Sequence, residues 1–106
     1  VAAGLGLVVE PVIELDPVIH APVRLRLMGI ARNLPEVEYA ALRDRLEISD
    51  SVLSKHLAAL CEVGYVSLRK GKLAGRSRTW VSVSEKGARA LDDHVAALRA
   101  LASGTV

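Results

Sequence analysis

Apolar positions recur along this chain with two different periods, and each period predicts elements. Val23, Leu27, Ile30, Ala31 and Leu34 fall at steps of three and four and predict a first helix with one buried face. Its start has two alternatives. Asp16-Pro17 offers a capping side chain with proline in the first turn, and His20-Ala21-Pro22 offers a later start. Asn33 and Pro35 close it. Tyr39, Leu42 and Leu46 predict a short helix over 39–46. A tight turn at Glu47-Ile48-Ser49 leads to a third helix from about Asp50 to Val63, with Ser49 as N-cap, Asp50 at the positive end of the dipole and Gly64 as the stop. The period then drops to two. Val66 and Leu68 alternate with Ser67 and Arg69, predicting a strand over 65–70, and the β-branched run Thr79 to Val83 with Trp80 predicts its partner. Residues 71–78 between them are expected to form a flexible basic loop. Ser84 caps a last helix from about residue 85, along which Ala88, Leu91, Val95, Leu98 and Ala102 form a narrow apolar seam.

The predicted order is helix, helix, turn, helix, strand, loop, strand, helix. It describes a mainly α domain with a small β-hairpin wing (α+β): a winged helix-turn-helix with a three-helix core and a C-terminal dimerisation helix. One domain accounts for residues 16–106 of the 106. Residues 1–15 show no clean period, and Pro11 interrupts any helix there, so they are expected to be an arm that is either disordered or packed at a dimer interface.

Phe is absent, so the core must be built from Leu, Val, Ile and Ala, which suits helices that cross closely. The single cysteine, Cys61, permits neither an internal disulfide nor a CxxC site, and a reducing, cytoplasmic setting is expected. No run reaches the roughly 18 apolar residues of a membrane span, so no membrane partner is expected. The opening VAAGLGLVV is short and has no basic leader, which argues against a signal peptide.

Charge changes the picture more than composition does. The net charge is +2, yet the stretch between Glu62 and Glu85 holds Arg69, Lys70, Lys72, Arg76 and Arg78 and no acid, leaving the rest of the chain at −3. Such a concentration suggests contact with a polyanion, set against the plainer alternative of a solvated loop. The third helix sharpens the choice. At about 100° per residue, Leu53, Leu57, Leu60 and Gly64 share one arc. Ser51, Lys55, Ala58 and Glu62 lie opposite, with Ser54 to one side. Its first two turns are therefore small, polar and singly cationic. Serine hydroxyls can reach base edges, and lysine can reach guanine or phosphate. Lys72, Arg76 and Arg78 on the wing would then meet the backbone or the minor groove, with the two arginines straddling one phosphate backbone.

Other candidates yield less. His56, on the flank of the apolar arc, reads as a packed structural histidine. His20 and His94 have no ligand-spaced neighbours and read as helix-surface residues, and no metal or cofactor site is expected. Cys61 and Trp80 read as packing residues. No nucleophile–base pair or phosphate-binding glycine motif points to an enzyme.

The residues then become familiar. Leu53-Ser54-Lys55-His56-Leu57, followed by Leu60 and Gly64-Tyr65-Val66, resembles the recognition helix and first wing strand of MarR- and ArsR-like winged helix regulators. Val83-Ser84-Glu85-Lys86-Gly87 resembles their junction after the wing, and Leu15 to His20 with Arg76 to Trp80 resembles a compact bacterial subgroup. The resemblance spans residues 15–98. It implies a homodimeric repressor on a two-fold related double-stranded DNA site, with Ser51, Ser54 and Lys55 as recognition positions and Arg76 and Arg78 as wing positions. The dimer interface would hold Leu91, Val95 and Leu98, and any small-molecule effector would bind there. Two departures stand out. The MarR wing commonly carries an acid two residues before an arginine, where this chain has Gly75 and Ser77, and the cysteine cluster of ArsR metal sensors is missing. A winged helix that binds protein rather than DNA is the alternative.

Overall fold

A computed structural model describes residues 14–104, so the expected arm lies, but for its last two residues, outside the described part. The elements are α1 (Pro22–Ala31), β1 (Val37–Glu38), α2 (Tyr39–Leu46), α3 (Asp50–Glu62), β2 (Val66–Leu73), β3 (Arg76–Val83) and α4 (Glu85–Ser103).

Both possible starts of the first helix are used. Asp16 Oδ1 accepts the backbone N–H groups of Val18 (2.9 Å) and Ile19 (3.3 Å), capping one isolated turn, and α1 then begins with Pro22 in its first turn. The helix ends at Ala31, one turn short of the expected apolar face. Leu34 therefore lies outside it at 45% exposure, and Met28 is buried in its place. α2 and α3 follow the predicted spans closely. Gly64, at φ 77°, ends the latter, and the Ser49 hydroxyl accepts the N–H of Val52 at its start.

The sheet differs from expectation in two ways. A third strand, β1, is present, and the order is β1-β3-β2, all antiparallel. The expected loop over 71–78 is mostly ladder: pairing continues to Leu73↔Arg76, and only Ala74 and Gly75, both at positive φ, turn the chain. That backbone is the two-residue turn whose twist matches the strands. Backbone pairing does not require apolar side chains, so a basic, glycine-containing stretch can still be strand.

The two-residue period gives the sheet an inner and an outer face. Val37, Val66 and Val81 share the inner face and cover Ile19, Leu27, Leu42, Leu53, Leu57 and Leu60 of the core. Glu38, Arg69, Arg78 and Trp80 share the outer face. α4 closes the core with Leu91 and with His94. The latter is 1% exposed, contrary to the helix-surface position expected for it. Its Nδ1 accepts the N–H of Asp16 at 2.9 Å, and its Nε2 lies 3.4 Å from Nδ1 of His20. This contact joins residues 78 positions apart and is invisible to local spacing.

Candidate nucleic-acid interface

α3 presents the surface its sequence promised. Leu53, Leu57 and Leu60 point into the core, while Ser51, Ser54, Lys55, Ala58 and Glu62 are exposed. Val52, 39% exposed beside the serines, adds an apolar contact suited to a thymine methyl that helical spacing alone did not single out. The helix is held on its flank by Arg24, which donates from its guanidinium to Nδ1 of His56 (3.2 Å) and to the carbonyl of Val18. Burial, then the Arg24 charge, lowers the His56 pKa, and the ring serves packing as expected.

Tyr39, the first residue of α2, ties this helix to the wing side. Its hydroxyl donates to the Asp50 carbonyl at 2.8 Å and lies 2.8 Å from Oγ of Ser54. A phenol has one proton, so Ser54 must donate to Tyr39 and keeps its lone pairs free. Toward a base edge Ser54 is thus an acceptor, matched to an amino group of adenine or cytosine. Tyr39 also lines a groove of about 470 Å³ with Glu38, Lys70, Ser77, Arg78 and Thr79, beside the edge of β3 that β1 leaves uncovered. The sequence places Lys70 in the basic stretch and Tyr39 on the apolar side of the second helix, but singles out neither as a contact residue. Their roles depend on where β1 ends, and a two-residue strand has no legible period.

The wing cations are not equivalent. Arg69 donates from Nε (3.1 Å) and Nη2 (2.6 Å) to the Glu36 carboxylate, which raises its own pKa and lowers that of Glu36. Arg78 donates to Glu38 across a long 3.4 Å, while its buried Nε has no partner among the described residues. Lys70, Lys72 and Arg76 form no ion pair among the described residues, and neither does Lys55. Pairing in the ladder places Lys70 and Lys72 on the face that carries Ser77 and Thr79, and Arg76 and Arg78 on the other. The two arginines therefore share one face of the ladder instead of alternating between faces. Arg76 sits exposed at the wing tip, and Arg78 leans on Glu38 at the groove.

On α4 the apolar seam is unevenly placed. Leu91 is only 4% exposed and packs into the chain's own core, Val95 is half-buried against it, and Leu98 meets Leu25, Pro17 and Pro22 around an apolar cleft of about 620 Å³. Leu101 follows at 47% exposure. Burial pushes the Cys61 thiol up from its ordinary pKa, the behaviour of a packing residue. Among the described residues, no group of three His, Cys, Asp or Glu side chains gathers as a metal set, and no helix is long and apolar enough to cross a membrane.

A three-helix core, a helix with a small polar outer face and a basic antiparallel hairpin beside it define a winged helix DNA-binding domain. The chain belongs to the family of that description, whose model matches residues 23–102. An uncharacterized protein of Methanocaldococcus jannaschii is 27% identical over 78 residues, covering 74% of this chain and 85% of that protein. Among solved structures, a transcriptional regulator homologue from Pyrococcus horikoshii superposes with a TM-score of 0.79 at 24% identity, covering 88% of this chain and 92% of that one. ZitR of Lactococcus lactis, a zinc-responsive MarR family member, superposes with a TM-score of 0.57 at 20% identity, covering 91% of this chain and 62% of that one. The resemblance to MarR-like regulators thus extends to the fold.

Proposed function

We propose that this protein is a sequence-specific, double-stranded-DNA-binding transcriptional regulator, a cytoplasmic homodimeric repressor with no catalytic role. The observation that carries the proposal is the Tyr39 linkage. It joins the small polar face of α3 to a groove lined by Lys70 and Arg78 and continuous with the wing. On this reading the first two turns of α3 enter the major groove, where Ser51, Ser54, Lys55 and Val52 read base edges. A phosphate lies in the groove against Lys70 with Arg78 at its margin, and Lys72 and Arg76 at the wing tip hold the backbone or the minor groove. Glu62 shares that face farther along the helix and would repel phosphate, so only the first two turns enter. The dimer seam runs along Val95 and Leu98 with Leu91 backing it from beneath, and the cleft between α1 and α4 leaves room there for a small-molecule effector.

Selection of bound duplexes from a random pool tests the division of labour. Ser54→Ala and Lys55→Ala are expected to relax preference at individual base pairs, each by about 1 kcal/mol of discrimination. Arg76→Ala is expected to weaken all duplexes alike. A uniform loss from all three would contradict the assignment of reading to α3. No duplex binding by the wild type at low salt would favour a protein-binding winged helix instead.

A further inference from the structure

Two of the five wing cations, Arg69 and Arg78, reach acids in or just before a strand that the sequence pattern did not reveal. Arg69, on β2, reaches across β3 to Glu36, just before β1. Its side chain therefore spans all three strands. On the way its guanidinium lies over the Trp80 ring, 4.2 Å from the centroid. Trp80 is the direct neighbour of Arg69 on one side and of Glu38 on the other. The indole continues over Gly71: a Cβ there would lie 3.1 Å from both Trp80 Cζ3 and Arg69 Nη1, closer than a side chain normally packs. The outer face of the sheet is thus crossed by a ribbon of Glu36, Arg69, Trp80 and Gly71, with Arg78–Glu38 alongside.

From this geometry we infer that Arg69, Trp80 and Glu36 form a strap that fixes the angle of the wing against the body of the domain, and that Arg69 is a positioning residue rather than a phosphate contact. The inference rests on the DNA-binding reading and deepens it. A two-stranded ribbon that extends past its third strand is free to twist about its base. Lys72 and Arg76 sit beyond that base, and their reach depends on its angle. A planar guanidinium bonded through two nitrogens on one side and stacked on a ring has little orientational freedom, so the three strands are held in one relation.

The strap makes a prediction whose sign opposes that of bulk electrostatics. Removing an acid beside a DNA-binding surface should by charge alone tighten binding. Glu36→Gln, which keeps shape and loses the bidentate ion pair, is expected instead to weaken duplex affinity about threefold. Arg69→Gln is expected to do the same while leaving the dependence of log affinity on log salt unchanged, whereas Arg76→Ala lowers that slope by about one contact. Trp80 is the only tryptophan, so its emission reports on the strap without DNA. Both glutamine variants are expected to shift it to longer wavelength as the ring loses its cover. If the wild type binds duplex DNA and Glu36→Gln binds it as well or better, or Arg69→Gln lowers the salt slope as Arg76→Ala does, the strap is overturned and the DNA reading stands. An unmoved Trp80 emission in both variants also overturns it. Absence of wild-type binding overturns the DNA reading and the inference together.

Discussion

His94 shows how much a single side chain can hold out of sight. Its Nδ1 accepts a backbone N–H, so Nε2 must carry the ring proton and donate toward His20. That arrangement needs the His94 ring neutral. Burial first, then the neighbouring His20, depresses the His94 pKa below its ordinary value of 6.5, with Asp16 only partly offsetting them. The folded state therefore binds this proton less readily than the unfolded chain. The associated stability is complete above about pH 6.5 and is lost as pH falls through the folded pKa. The same network includes Tyr65, whose hydroxyl donates to Asp16 Oδ2 at 2.5 Å and whose pKa is pushed up to about 12, so the phenol stays protonated throughout this range. Thermal unfolding followed from about pH 7.5 to about 5.5 is expected to show a falling midpoint for the wild type and a smaller fall for His94→Gln. Identical pH profiles for the two would contradict this account. The sequence shows His94 as one polar position on an amphipathic helix. Its partners, Asp16 and His20, come from the far end of the chain, so local spacing misplaced it on the surface.

At the scale of elements, most boundaries were legible because they are set by local chemistry. Ser49 and Ser84 cap α3 and α4 through their hydroxyls as expected, and Pro22 opens α1. What escaped was decided by pairing. Val37–Glu38 is a strand only because Val81 and Trp80 lie opposite it, and residues 71–73 and 76–78 are strands only because they face each other. The α4 start carries a further constraint of this kind. Gly87 passes so close to the end of α3 that a Cβ there would stand 2.2 Å from the Tyr65 carbonyl oxygen, the same oxygen that accepts the Ser84 N–H. Backbone cannot yield as a side chain does. Gly87→Ala is therefore expected to destabilise the domain by about 3 kcal/mol in chemical denaturation, despite alanine's better helix propensity. A neutral or stabilising effect would show that α4 can shift away from Tyr65 at little cost.

At the scale of the whole molecule, the candidate site was legible in kind but not in arrangement. The exposed face of α3 could be read from a period of 3.6, and Ser51, Ser54 and Lys55 are exposed on it as expected. The basic wing could be read from charge, but not which of its cations are free, since the acids that occupy Arg69 and Arg78 lie more than thirty residues earlier. Glu36 and Glu38 leave Lys70, Lys72 and Arg76 as the wing cations without an ion pair among the described residues, joined to α3 through Tyr39. The proposed function depends on that set meeting a polyanion. The most direct measurement is the affinity of the full chain for duplex DNA as a function of salt, for the wild type and for Lys72→Ala/Arg76→Ala. The wild type is expected to bind with log affinity falling linearly in log salt, and the double variant to bind all sequences more weakly with a slope shallower by about two. A wild type without duplex affinity at low salt, or a double variant with an unchanged slope, would contradict the account.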